Sequence, residues 1–265
     1  MYTIELSGFD LNKTFKSGQF LRWRQIREDK YLVFHKDKSV VVEQNKNRLI
    51  LSCTEQDFFD VWVSYFDLFY DYPRELMRLK VLSNDFKKFA NKAKGVHQIN
   101  RDPFEALVTA KLMQDYDEVK VNLFKEEIAK ICGKRRTQSK VDIGTFRWNE
   151  WPSPAEVYSK INKSKVLNPV FMSWLHEASE LLMKEELDIS KADRLSRLLA
   201  GDRKVFPKDE SIISLAVEEY ETKDDFVKEV LSKADNKSLV YLCLNYFCLN
   251  KPERIKVENG FNIKY

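Results

Sequence analysis

SGQFLRWRQIREDKYLVFHKDKSVVVEQNKNRLILSC, residues 17–53, decides the fold of the first part of the chain. Four runs rich in β-branched and aromatic residues follow one another: FLRWRQ (20–25), KYLVFH (30–35), SVVVEQ (39–44) and RLILSC (48–53). Only Glu28-Asp29, Lys36-Asp37-Lys38 and Asn45-Lys46-Asn47 separate them. Breaks this short cannot hold a crossover helix, so the runs predict antiparallel strands joined by hairpins. YTIEL (2–6) supplies a fifth strand upstream. Ser17-Gly18 stands at the entrance, either as a plain turn or as a point where something must approach the backbone closely.

Beyond Cys53 the period changes. Thr54 opens a helix-like stretch, with Gln56 and Asp57 in its first turn and Phe58, Val61, Trp62 and Tyr65 at helical spacing. After Pro73 the pattern stays helical, with helices expected over 74–80, 84–94, 103–114, 118–132, 154–161, 169–185, 190–200, 208–220, 223–234 and 237–249. Asn168-Pro169 reads as an N-cap followed by proline at the first helical position, and Gly133 as a helix stop. GKRRTQSK (133–140) reads as a polar, basic connection, and the segment after Lys251 as a short extended closing piece. The fold class is α+β: an N-terminal antiparallel β domain over residues 1–80, then a larger helical domain over 81–265.

Composition narrows the function classes. The hydrophobic share of 43% and aromatic share of 13% suit a folded chain rather than a disordered one. A net charge of +4 does not demand a polyanion as partner, yet leaves room for a local basic face. Cys53, Cys132, Cys243 and Cys248 form no CxxC pair, and His35, His97 and His176 are isolated, so neither disulfides nor a metal centre is expected. Cys243 and Cys248 lie in an apolar run and read as core. No cofactor is implied. Without a long apolar span or an N-terminal signal pattern, the chain reads as cytoplasmic (nucleoid-associated), or nuclear in a eukaryote.

Chemistry concentrates in LDISKADRLSRLLAGDRKVFPKDESIISLAVEEY, residues 187–220. Ser190 followed by Asp193 has the form of a capping box before a helix with Leu195, Leu198 and Leu199 on its apolar face. Lys191 then falls in the first turn, where the positive end of the helix favours the neutral, nucleophilic amine. Asp209 falls at the start of the next helix, where backbone N–H groups favour a carboxylate. On position alone, a solvated lysine and an ordinary capping aspartate are the better readings of the two residues.

Four motifs in order give these residues a context. Gly18-Gln19-Phe20-Leu21-Arg22-Trp23, the segment WVSYFDLFYDY (62–72), Asp102-Pro103-Phe104-Glu105 and Pro207-Lys208-Asp209 resemble the 8-oxoguanine DNA glycosylases of the helix-hairpin-helix superfamily. The resemblance runs over most of the chain and implies a DNA glycosylase with abasic-site lyase activity. It implies that Lys191 attacks the sugar C1′ of a flipped nucleotide through a Schiff base, with Asp209 stabilising charge on the sugar. Lys191 lies eighteen residues before Asp209, one short of the family spacing. The partner implied is double-stranded DNA carrying a damaged or modified base, met by a monomer, with no membrane. Gly18 and Gln19 would belong to the base pocket; Arg203, Lys204 and Ser211 would contact DNA.

The departures from the family are as informative. Its glycine-rich hairpin before the lysine is here Glu186-Leu187-Asp188-Ile189-Ser190, with no glycine and an added acid. Tyr241 replaces a glutamine that reads the base, Asn245 a stacking phenylalanine, and Arg194 a cysteine that packs the base. Tyr116, in Met113-Gln114-Asp115-Tyr116-Asp117, is the candidate to wedge into the gap left by the flipped base, a solvated turn being the alternative. These changes point away from 8-oxoguanine itself, toward another modified base. The alternatives are a glycosylase directed at hypermodified bases of viral DNA, or an inactive DNA-binding descendant.

Overall fold

The computed structural model describes residues 1–19, 22–140, 143–207, 212–214, 217 and 226–250. Five strands form one antiparallel sheet: β1 (Tyr2–Glu5), β2 (Trp23–Arg27), β3 (Lys30–His35), β4 (Lys38–Asn45) and β5 (Arg48–Leu51). Their order is β1-β5-β4-β3-β2, so every neighbour except β1 is reached by a hairpin. Asp29, Lys36 and Lys46 take positive φ of 57°, 50° and 54° at the turns. These left-handed residues match the strand twist, which is why such short polar breaks suffice. A mostly helical region follows, as the change of period predicts.

The chain divides into two compact units. The first comprises residues Met1–Leu6, Phe20–Leu68 and Ile99–Asp202. In its sheet Tyr31, Val33, Val40 and Val42 are fully buried on one face, and Leu32, Phe34 and Val41 on the other. The second face is covered by Trp148, with Phe146 partly buried beside it. Both belong to a two-stranded hairpin, β6 (Arg135–Lys140) with β7 (Gly144–Asn149). Residues 133–140 are therefore not a plain connection. Their polar alternation conceals a strand because neither of its own faces is buried; its partner β7 supplies the apolar anchor.

Helices of this unit are α2 (Glu55–Asp57), α3 (Val63–Tyr65), α6 (Pro103–Met113), α7 (Glu118–Cys132), α8 (Pro154–Lys160), α9 (Pro169–Met183) and α10 (Arg194–Leu199). A widened π turn over Phe58–Trp62 joins α2 to α3 and buries Phe58 and Trp62. Phe104, Val108, Leu112, Val121, Ile128, Trp151, Phe171 and Leu175 build the helical core. Asp102 caps α6 by accepting from the Phe104 and Glu105 amides at 3.0 and 3.1 Å. Glu105 is buried and pairs with buried Lys125 at 2.9 Å. Burial pushes its carboxyl up, but Lys125, Arg22 and Arg101 outweigh burial and hold it below its usual range.

The second unit comprises Ser7–Gln19, Phe69–Gln98 and Arg203–Tyr265. It holds α1 (Leu11–Phe15), α4 (Tyr72–Leu82), α5 (Asn84–Lys92), α11 (Phe226–Lys233) and α12 (Lys237–Leu249). Phe89 stacks on Phe226 at 5.6 Å and meets Phe247 edge-on at 5.1 Å, tying α5 to α11 and α12. Cys243 and Cys248 are buried on α12, as their apolar setting predicts. No helix among the described residues is long and apolar enough to cross a membrane.

Candidate active site

In the first unit, α9 and α10 are joined by the hairpin that carries Lys191. Helix α9 closes when Glu185 adopts φ 58°. The amides of Glu185 and Glu186 donate back to the carbonyls of Leu182 and Leu181 at 3.2 and 2.9 Å. This is the reversal that glycine ordinarily makes, carried out by a glutamate. A 3-10 turn, Ile189–Lys191, follows. Asp193, not Ser190, is the N-cap of α10, accepting from Leu195 and Ser196 amides at 2.9 and 3.0 Å. Ser190 instead donates through its amide (2.9 Å) and Oγ (2.7 Å) to Asp188 Oδ1.

Lys191 thus stands two residues before the cap, outside the first turn of α10. The expected dipole effect at that turn has no purchase on it, since the effect is confined to the helix end itself. Its side chain is 83% exposed, and its Nζ lies 3.4 Å from Asp188 Oδ2. The two hydrogen bonds from Ser190, with the ammonium of Lys191, hold the Asp188 carboxyl below its usual range. Arg194, first residue of α10, is exposed.

Beside this hairpin lies a groove of about 400 Å³, bordered by Leu107, Lys111, Gln114, Trp174, Leu187 and Asp193. Lys111 Nζ sits 5.9 Å from the Trp174 ring centroid and donates to Gln114 Oε1 at 3.0 Å. The sequence drew no attention to Trp174, because an aromatic at helical spacing reads as core; its partial exposure is set by the turn of α9. Tyr116 is half-buried and meets Phe124 edge-on at 4.8 Å, so its ring packs on α7.

Arg22 of the Arg-Trp pair is structural in the same unit. Its buried guanidinium donates to Glu126 Oε1 and to the Asn149 carbonyl, both at 2.9 Å. It lies 6.0 and 5.9 Å from the rings of Phe34 and Trp151. One side chain thereby ties the sheet to α7 and β7.

In the second unit, Gly18 has φ 72°, and a Cβ there would collide with Leu249 Cδ1 and lie 2.9 Å from Asn245 Nδ2. Close approach is what this glycine permits, and the last turn of α12 makes it. Asn245 Nδ2 donates to the Ser17 carbonyl at 3.1 Å. The Gln19 amide is buried and donates to Ser17 Oγ and the His97 carbonyl, both at 2.8 Å. Gln19 therefore shapes the loop around Gly18 through internal bonds. Tyr241 is buried and faces Phe206 edge-on at 5.8 Å. Arg203 lays its guanidinium 4.1 Å from the Tyr70 ring centroid, while Lys204 is exposed.

Asp209 and Ser211 lie outside the described residues, as does the segment after Lys251. Among the described residues no group of three His, Cys, Asp or Glu is placed to hold a metal ion. The four cysteines are free thiols.

The comparisons with known proteins fall on this arrangement. Residues 1–107 match the family model of the 8-oxoguanine DNA glycosylase N-terminal domain. The matched region is similar to an 8-oxoguanine DNA glycosylase N-terminal domain. It contains the five-stranded sheet, Gly18, Arg22 and the start of α6. No curated protein matches the chain in sequence. Among solved structures, MBOgg1 in complex with a low-affinity DNA ligand is similar with a TM-score of 0.77 and 19% identity, over 92% of this chain and 94% of that one. The Clostridium acetobutylicum 8-oxoguanine glycosylase/lyase, bound to double-stranded DNA with cytosine opposite 8-oxoG, gives 0.75 and 16%, over 94% and 97%. The 3-methyladenine DNA glycosylase of Archaeoglobus fulgidus gives 0.68 and 14%, over 93% and 98%. At these identities the likeness is one of fold, and it extends beyond the N-terminal domain to the helical region.

Proposed function

We propose that the chain is a DNA glycosylase and abasic-site lyase acting on a damaged or modified base in double-stranded DNA. The carrying observation is Lys191, an exposed primary amine delivered by the turn between α9 and α10 in a chain that also bears this N-terminal domain. Lys191 Nζ, once deprotonated, attacks C1′ of the flipped nucleotide. The N-glycosidic bond breaks, and its electron pair leaves with the base, which takes up a proton. The sugar ring then opens to a Schiff base. Loss of a C2′ proton expels the 3′ phosphate, and water releases the lysine.

In this reading Asp209 stabilises positive charge on the sugar. The ion pair with Asp188 must open first, because an ammonium engaged with a carboxylate has no lone pair to offer. Gly18 contributes its backbone to the base pocket, while Tyr241, Asn245 and Arg194 replace the family's base-reading groups, favouring a base other than 8-oxoguanine. Arg203, Lys204 and Ser211 contact the DNA backbone, and Tyr116 borders the gap left by the flipped base.

Borohydride reduction with duplexes carrying an abasic site or one of a panel of modified bases tests the reading. A covalent adduct with wild-type protein, absent from Lys191→Gln, is the expected result. No adduct and no released base with any duplex would defeat it and leave a DNA-binding role. Hypermodified bases belong in the panel, since their selective release would mark a defence enzyme.

A further inference from the structure

The cations around the β6–β7 hairpin fall into two groups. Arg136 pairs with Glu150, Lys134 stands 3.9 Å from Glu156, and Lys140 Nζ donates to the Ser52 carbonyl at 2.7 Å. Arg135 and Arg147 differ. They stand opposite Asn149 and Thr137 in the ladder, which makes them diagonal neighbours on one face of the hairpin, roughly 7–8 Å apart. Arg24 of β2 and Lys130 of α7 border the same groove, of about 380 Å³, with Trp148 and Asn149 between them.

No carboxylate among the described residues lines this groove. Lys130 has Glu127 at 3.6 Å, whereas Arg24, Arg135 and Arg147 are exposed and have no carboxylate within ion-pair distance among the described residues. Arg24 is held with its guanidinium 5.3 Å from the Phe34 ring centroid. In a chain whose net charge is only +4, four cations on one groove are a local excess. The three arginines, without a carboxylate partner among the described residues, repel one another, so their placement costs stability unless an anion arrives.

We infer that this groove binds the sugar–phosphate backbone of duplex DNA. Guanidinium forks suit phosphate oxygens, and a row of cations along an open groove suits an anion that repeats rather than a single small one. The choice of DNA as the polyanion rests on the glycosylase reading. The groove is formed by β2, α7 and the β6–β7 hairpin, none of which carries Lys191. It therefore adds backbone affinity without entering the chemistry.

The test measures binding of the full chain to a duplex of about 30 base pairs across salt concentrations. Arg24→Ala/Arg135→Ala/Arg147→Ala should lower the slope of log K against log salt by about 2–3, and weaken binding at low salt by about tenfold or more. Replacing the three arginines by lysine should restore most of the slope, because charge alone releases counterions. If the triple variant fails to fold by circular dichroism, Arg147→Glu alone should still lower the slope by about 1. An unchanged slope in a folded variant overturns the proposal, whether the groove then takes an acidic protein or nothing. A lowered slope in a protein that forms no borohydride adduct keeps the groove and defeats the glycosylase reading. Absence of salt-dependent duplex binding by the wild type overturns both.

Discussion

Two hairpins of the first unit carry opposite charge. The turn between α9 and α10 presents Glu185, Glu186 and Asp188 around Lys191, whereas the β6–β7 hairpin presents Arg135 and Arg147 without acids beside them. In the proposed reading the first of these approaches a DNA phosphate. Its acids would repel that phosphate, and Asp188 keeps its charge because Ser190 stabilises the carboxylate. The two hairpins thus separate two features: one carries the exposed, acid-flanked Lys191, and the unbalanced positive charge lies on the other.

The sharpest way to break the contrast is at the proposed nucleophile. Lys191→Gln should cut borohydride trapping by on the order of 10³-fold or more, while leaving duplex affinity within about twofold, because the side chain is exposed and already paired. Loss of duplex binding to a comparable extent would mean that Lys191 anchors DNA rather than attacking it. A second test neutralises the acids. Glu186→Gln/Asp188→Asn should tighten binding to an abasic duplex by about fivefold at low salt, because two exposed charges of the phosphate's own sign are removed. An unchanged dissociation constant would place the acids away from the phosphates.

Smaller effects refine the picture. Glu185→Gly should stabilise the protein by about 1 kcal/mol, since the glutamate holds φ 58° against its Cβ; thermal unfolding measures it as a rise of a few degrees. A fall in melting temperature would show that the glutamate side chain makes up for its strained backbone. The smallest effect concerns pH. The Asp188 carboxyl is held below its usual range, so it stays ionised throughout pH 5–8. The affinity ratio of Asp188→Asn to wild type should therefore be flat over that window. A ratio that rises with pH across it would mean that the carboxylate is only partly ionised at pH 5.

The sheet was legible because its strands alternate or run apolar between polar breaks, and their boundaries fall within a few residues of the observed ones. Strand β6 was not: Arg135, Arg136, Thr137 and Gln138 have no buried face of their own, and only Trp148 across the ladder explains their extension. In the candidate site the sequence puts Lys191 in the first turn of α10 behind a capping Ser190; of Ser190 and Asp193, the structure takes Asp193 as the cap, and Lys191 precedes it. Both offer side-chain oxygens, and the 3-10 turn between them decides for Asp193. The neighbours of Gly18 were out of reach for another reason. They come from more than two hundred residues downstream, and no local period links Ser17 to Asn245.

The Leu249 side chain against Gly18 has a thermodynamic consequence for any ligand that approaches from that side. Such a ligand competes with a tethered group of the chain itself, so its apparent affinity is the intrinsic affinity multiplied by the fraction of molecules in which the last turn of α12 has moved away. At about 1.4 kcal/mol for that movement, the fraction is about one in ten. Leu249→Ala would raise it without touching the ligand. Selectivity on that side would then depend on which ligands bind strongly enough to displace the leucine, a threshold set by α12 itself.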